Sequence, residues 1–518
     1  VCIVYPNTYY IGMSNLAVHL LYRTLNDLPW VVCERYFLDG SGHAASLEGQ
    51  RPLASFDILF FSLSYELDYL NIPRILAAAS IPVTALQREA GTPLVVGGGV
   101  CVMANPEPIS AFFDLFLMGD VEATVPLFMD QYQAMRGKDR PGLVHALGSP
   151  EWVYNPAMLE VSYNEAGQIA AFKPEGFAVN CRYYREKGLA TSSITTSETE
   201  FSDMYLIEGT RGCPSRCPFC LMGNVYPFRY DTIAEADTEM GHVGIVGGGV
   251  SFHPEITETV KRLKASGKSV HFPSLRIDEV PLSVIEVMED EIKTLTFGIE
   301  AGTERLRSFL GKPLQDREIF EKIEAILRIK PFNLKLYFMI GIYGEEGKDV
   351  EAIFHLTKQI KHLMVKTGAR RGFVGTITVH VSPFVPKAVT PFQWLPMAEM
   401  DNLKSRINWL RKAFHKVDNT YFTHESVKFS SLQGILARAD RRVNDVIIKL
   451  AQGISFQKIL RENPVNLNFY LLRKRAEKEV FPWDFIGGST SKRQLYKRLA
   501  TAIDRAGSHG DPPPLFPH

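Results

Sequence analysis

Residues 211–221, RGCPSRCPFCL, set Cys213, Cys217 and Cys220 in the spacing C-x3-C-x2-C. Three thiolates this close in sequence can hold one inorganic cluster. Thiolate sulfur is the usual ligand of iron–sulfur clusters, and a cubane of four irons asks for four ligands, so three cysteines leave one iron open to a further ligand. The competing reading, a zinc knuckle, wants four protein ligands at a structural site, and no fourth Cys or His stands nearby in the sequence. The three cysteines are therefore read as metal ligands.

Outward from this loop the chain alternates between strands and helices. Toward the carboxyl end, YLIEG before the loop is followed by VGIVGGG, SVHF, TLTFGIE, LKLYFMIG and VGTITVHVS, each separated by a helix-length segment, which predicts six strands over residues 204–395. Toward the amino end, residues 1–135 alternate apolar runs (VCIVYP, VVCERYF, DILFFSL, PLVVGG, DLFLMG) with helical patterns. Continuous apolar strands separated by helices predict a parallel, doubly wound sheet covered on both faces, with ligands at the carboxyl ends of the strands. Residues 136–203, broken by Pro141, Pro150, Pro156 and Pro174, read as an irregular connector with a hairpin around Asn164–Gly167. From residue 396 to 518 the pattern is helical and basic, and the closing GDPPPLFPH reads as extended or disordered.

Composition narrows the function classes. Hydrophobic residues at 46% and charged residues at 22% are ordinary for a soluble globular protein, and no apolar run approaches the roughly 20 residues that cross a bilayer. The opening VCIVYP reads as a strand rather than a signal peptide. Seven cysteines in 518 residues are too sparse for a disulfide scaffold, so a reducing cytoplasm is expected.

With Phe219 just before the last cysteine, the loop resembles the signature of radical S-adenosylmethionine enzymes. The resemblance implies a [4Fe-4S] cluster on Cys213, Cys217 and Cys220, S-adenosylmethionine chelated to the open iron, a 5'-deoxyadenosyl radical as the reactive species, and an electron donor such as flavodoxin or ferredoxin. It also implies a partial (β/α)6 barrel with its active-site loops at the carboxyl ends of the strands. On that barrel Gly247, Gly248 and Gly249 match the glycine-rich motif that holds the amino group of S-adenosylmethionine. Ser274 and Arg276 in SLRID suit its carboxylate, Glu300 suits the ribose hydroxyls, and Gly341 opens the adenine-contacting turn. For Arg276 and Glu300 a structural ion pair inside the barrel is the plain alternative. His253 and His271, near strand ends, read as satisfied core or loop histidines rather than ligands.

The amino-terminal domain resembles the Rossmann-like cobalamin-binding domain that precedes many such barrels. The pattern D-x-H-x-x-G, S-x-L, GG is matched here by Asn7, Tyr9 and Gly12, loosely by Ser62 to Ser64, and by Gly97 and Gly98, with Gly119 ending a further strand. Tyr9 stands where the cobalt-ligating histidine would be, so the resemblance implies cobalamin without histidine coordination. Together the two domains imply a cobalamin-dependent methyltransferase acting on an unactivated carbon. One alternative is an RNA-modifying enzyme akin to the methylthiotransferases, which needs three more cysteines; Cys2, Cys33 and Cys101 are the candidates. The other is a non-catalytic iron–sulfur scaffold. The arginines Arg438, Arg441 and Arg442 and the run Arg473-Lys474-Arg475 raise the possibility of RNA as a partner, with solvated faces favoured.

Overall fold

The amino-terminal apolar runs become the strands β1 (Cys2–Thr8), β2 (Glu34–Leu38), β3 (Ile58–Ser62), β4 (Leu94–Gly98) and β5 (Leu115–Leu117), joined by a short β6 (Val153–Tyr154). In this computed structural model, which describes residues 1–40, 42–233, 240–272, 275–462 and 466–507, the strand order is β2-β1-β3-β4-β5-β6. The first five are parallel and β6 is antiparallel. Helices Leu16–Asn26 and Val121–Met135 cover one face, where Ile3, Phe60, Val96 and Phe128 are buried. The other face buries Val4, Phe61, Val95 and Phe116. Both faces are therefore dry, which is why these strands read as unbroken apolar runs. The order reverses between β1 and β3, the crevice where such sheets bind ligands.

The connector holds the predicted hairpin, β7 (Glu160–Tyr163) and β8 (Ile169–Lys173), and a short β9 (Val179–Asn180). The second α/β unit contains β10 (Tyr205–Arg211), β11 (Arg229–Tyr230), β12 (His242–Gly247), β13 (Ser269–His271), β14 (Thr294–Glu300), β15 (Asn333–Ile340) and β16 (Ile377–Pro383). All six predicted strands are present. A parallel bridge from Leu275 to Phe297 carries the wall from β13 to β14, so parallel strands follow one another in chain order without closing.

The carboxyl-terminal segment departs from its helical reading in one element. Thr420–His424 forms β17, a seventh parallel strand paired with β16. Its short sequence, TYFTH, buries its apolar side through Phe422, which stacks on Phe414 at 5.7 Å. Near the end of the chain β18 (Ile486–Gly487) returns to pair with β9, stitching the connector to the last helix, Lys492–Gly507. Residues 508–518, which include the stretch expected to be extended or disordered, lie outside the described residues. No helix among the described residues is long and apolar enough to cross a membrane.

The arginines singled out in this segment are buried or half-buried. Arg438 is fully buried and donates to the carbonyls of Leu395 (2.6 Å), Tyr470 (2.5 Å) and Leu471 (2.9 Å). Arg475, also buried, donates to Arg438 O, while Arg441 pairs with buried Glu107 and Arg442 with Asp440. Arg473 pairs with Glu479, and the Lys474 ammonium sits over the Tyr343 ring. These cations hold the carboxyl-terminal layer against the rest of the chain instead of forming an open basic face.

Candidate functional site

The carboxyl ends of the two sheets face one cavity of about 410 Å³. Its inner end is an apolar slot between the first sheet and its two covering helices, lined by Leu20, Leu21, Phe60 and Val125. Its mouth meets the second unit at Glu208, Thr210, Arg211, Gly247 and Gly248. Between them stand Ser62, Ser64, Gly97, Gly98 and Gly119, five of the residues proposed from the strand-end loops. The Asn15 amide donates to Ser64 Oγ at 2.8 Å, fixing the loop after β1 against the loop after β3. Gly119 has φ +144°, and a Cβ there would lie 2.1 Å from Arg182 O, so the connector passes too close for any side chain.

Charged groups cross the mouth of this cavity. Arg211, at the end of β10, reaches Glu122 (2.9 Å), Asp120 (3.2 Å) and its own neighbour Glu208 (2.7 Å). Burial opposes its charge, but Glu208, Glu122 and Asp120 outweigh that and hold the guanidinium above its ordinary range. Burial also pushes the Asp120 carboxyl up despite Arg211. Two carboxylates of the first domain are thus tied to the residue that opens the cysteine loop.

The loop itself is held by long-range contacts. Asn224 donates to the carbonyls of Cys217 (3.0 Å) and Cys220 (2.6 Å). Arg498, on the last helix, donates to Asn224 Oδ1 at 2.7 Å and to Arg216 O, and Ser489 Oγ donates to Asn224 O at 2.8 Å. Arg216 adopts φ +46°, a left-handed turn between the first two cysteines.

Around the thiols the structure gathers cations. Arg276 Nη1 lies 3.9 Å from Cys217 Sγ while the same guanidinium pairs with Asp278. Lys312 Nζ sits 2.5 Å from Glu300 Oε1 and 3.0 Å from Gly298 O. Burial pushes the Cys217 thiol up to about 11, opposed by Lys312 and Arg276, and the charges of Cys220 and Cys213 add to it. Burial likewise pushes Cys220 up, opposed by the amides of Gly223 and Met222. The ideal Cβ position of Gly249 is 3.5 Å from Cys213 Sγ, so the glycine loop after β12 abuts the first cysteine. Glu300 itself has φ +72°, a strained conformation for a non-glycine residue that marks a place held for a purpose. Among the described residues no three His, Cys, Asp or Glu side chains are already drawn together around one point. The donor set of three thiols in one loop beside Arg276 and Lys312 is nonetheless the chemistry a thiolate-held cluster needs.

Two family models match the chain, one described as radical SAM proteins, N-terminal, over residues 17–156 and one as the radical SAM superfamily over residues 207–357. The second spans the cysteine loop and the strands that carry Gly247–Gly249, Arg276 and Glu300. The chain carries radical SAM domains. An uncharacterized protein of Methanocaldococcus jannaschii is 28% identical over 455 residues, 86% of this chain and 89% of that one. Among solved structures, the cobalamin-dependent S-adenosylmethionine radical enzyme OxsB with aqua-cobalamin and S-adenosylmethionine bound aligns with 98% of this chain and 61% of its own, at 12% identity and a TM-score of 0.43. Coproporphyrinogen III oxidase (HemN) from Escherichia coli aligns with 34% of this chain and 41% of its own, at 12% identity and a TM-score of 0.24.

Several residues that the resemblance pointed to lie elsewhere in this radical SAM protein. Asn7 donates to Asp68 Oδ1 at 2.8 Å, Tyr9 packs edge-on to Phe37 at 5.2 Å, and a Cβ on Gly12 would lie 2.4 Å from the Phe37 ring. None of the three lines the cavity, and Gly12 has a packing reason to be glycine. Gly341 is buried against Leu403 and Ala398, with its N–H on Glu345 at 2.7 Å, so it faces the outer helix layer rather than the cysteines. Ser274 lies outside the described residues. His253 is satisfied by Asp231 O and by Glu255 N–H. Burial raises the Cys2 thiol and Cys33 adds to it, whereas Cys101 is raised by burial and by Glu66. The residues that sequence reasoning missed are Asn224, Lys312, Arg498 and the acidic partners of Arg211. Only Asn224, four residues past Cys220, carried a local hint.

Proposed function

We propose that the chain is a cobalamin-dependent radical S-adenosylmethionine methyltransferase acting on an unactivated carbon. The observation that carries this reading is the shared cavity: strand ends of the first domain and of the barrel line opposite sides of one space, and the barrel side abuts the cysteine loop. When bound, the cluster with S-adenosylmethionine would supply a 5'-deoxyadenosyl radical and cobalamin would supply the methyl group. Cys213, Cys217 and Cys220 would hold the cluster. Gly247, Gly248 and Gly249 would admit the amino acid end of S-adenosylmethionine, Arg276 would face its carboxylate, and Glu300 its ribose.

The residues of the first domain fit a corrin with a nucleotide tail. The apolar slot suits an aromatic base, and Ser62, Ser64, Gly97 and Gly98 offer hydroxyls and bare backbone at its rim. No histidine among the described residues lines the cavity. His19, in helix Leu16–Asn26, is buried with Nε2 on Met13 O. A corrin here would therefore lack a histidine on its lower face.

The test is anaerobic purification with metal analysis, followed by a product count. Iron together with cobalt is the expected outcome, and under turnover 5'-deoxyadenosine and S-adenosylhomocysteine should form in comparable amounts. Iron without cobalamin binding, or 5'-deoxyadenosine with no labelled methyl in the product, would overturn the methyltransferase reading.

A further inference from the structure

The interior of the open barrel is polar and uncovered. Along β14, β15 and β16 the outward residues, such as Phe297, Leu336 and Val379, are buried, while the inward ones alternate with them and stay half-buried. Paired registers stack these inward residues into layers. Gly298, Tyr337, His380 and Thr423 share one layer, and Thr296, Lys335, Thr378 and Tyr421 share the layer below it. Beyond a register shift after Gly298, Glu300 stands beside Lys312 and pairs with Phe338, one residue past Tyr337.

The charges in these layers are unevenly compensated. Glu300 is neutralised by Lys312, and Arg276 by Asp278. His380 is held by Thr423 Oγ1 at 2.9 Å and lies 3.4 Å from Glu425. Lys335 is different: among the described residues it has no carboxylate partner, and its ammonium sits 5.1 Å from the Tyr337 ring centroid. The Tyr337 and His380 rings meet edge to face at 5.0 Å directly above it.

We propose that Lys335, with the Tyr337 and His380 rings above it, binds the anionic end of an elongated substrate. A lone half-buried cation inside a barrel is costly unless a ligand compensates it, and the ring wall between it and the cysteines offers a planar surface to the middle of that ligand. Three residues on β15 separate Phe338, the partner of Glu300, from Lys335. At about 3.3 Å per residue the anionic group lies roughly 10 Å below the level of Glu300. The substrate class is therefore a molecule with a carboxylate or phosphate at that distance from the carbon that reacts. This rests on the proposed function only in taking the level of Glu300 as the reacting level; the anion site is measured without turnover or cobalamin, so the two can fail separately.

The experiment uses the full chain labelled at histidine Cε1, with His380 assigned from H380N, and inorganic phosphate and acetate as separate probes. The expected result is a saturable shift of the His380 signal with at least one anion, weakened about tenfold or more in K335M, the weight of one charge-assisted contact. The tighter of the two probes names the group. K335R, which keeps the charge, should retain binding within a fewfold of the parent. No saturable shift with either anion, or equal binding by K335M, would overturn the proposal. An unchanged melting temperature of unliganded K335M separates loss of the site from loss of fold.

Discussion

Replacing Arg498 by Gln removes the clamp between the last helix and the cysteine loop without touching the face by which that helix packs. Leu495, Leu499, Ala502 and Ile503 supply that face and are buried. The substitution deletes the donors to Asn224 Oδ1 and to Arg216 O. Two hydrogen bonds between partly buried groups contribute about 1 kcal/mol each, so the loop loses about 2 kcal/mol of local order. That corresponds to about a 30-fold larger population of the opened loop. The assay is the rate of iron transfer from the anaerobically purified protein to an excess of chelator, followed by visible absorption. R498Q should lose iron up to about 30-fold faster than the parent, if release proceeds through the opened loop. R498K, whose ammonium reaches one acceptor rather than both, should fall between them. R493Q, on the exposed side of the same helix, serves as the control and should release iron at the parent rate. Equal rates for R498Q and the parent, or equal acceleration by R493Q, would refute the clamp. A parent chain that holds no iron would instead refute the cluster assignment.

Burial raises the Asp68 carboxyl from 3.8 to about 6, against the hydrogen bond from Asn7. Because the folded state binds this proton more tightly than the unfolded chain, Asp68 costs stability above pH 6 and the cost fades as the pH falls toward 4. A shift of about 2 units corresponds to about 3 kcal/mol at neutral pH. D68N keeps an acceptor for Asn7 and should raise the melting temperature at pH 7.5 but not at pH 4; an equal effect at both would show that Asp68 is not the titrating group. R438M should destabilise the protein by about 1–3 kcal/mol, since it leaves the buried Leu395 carbonyl without a donor and takes one of two donors from each of the Tyr470 and Leu471 carbonyls. Urea unfolding measures it, and an unchanged midpoint would show that Arg438 is dispensable to the core.

The parts of the fold that were legible in the sequence are those fixed by local pattern. The cysteine spacing is a property of eight consecutive residues, and strands buried on both faces print themselves as apolar runs. TYFTH carries only one large residue that packs on the core, the half-buried Phe422, so β17 was absorbed into its helical surroundings. The arginines misled for a related reason: a sequence shows charge but not depth. Nothing in ILARADRR distinguishes Arg438, which is fully buried among carbonyls, from an arginine on a solvated face. At the first loop the glycine of the resemblance was present for another cause, because the Phe37 ring occupies the space a Cβ at Gly12 would need. The clamp on Asn224 was invisible because its donor stands 274 residues away.

The ion network at the cavity mouth explains how two α/β units present one shared space. Arg211 carries a single positive charge amid Asp120, Glu122 and Glu208, and Arg229 approaches Glu122 at 3.7 Å. Separating the domains would leave Arg211 with Glu208 alone and would return Asp120 and Glu122 to water. Charges buried in this way are weak sources of stability, because desolvation cancels much of the Coulomb gain, but a displaced partner leaves an uncompensated charge and is strongly penalised. Such a contact therefore selects one docking geometry more than it strengthens docking. Arg211 lies two residues before Cys213, and Asp120 lies immediately after Gly119 on the cavity wall. The geometry selected is consequently the one that sets the cysteine loop in register with the strand ends of the first domain.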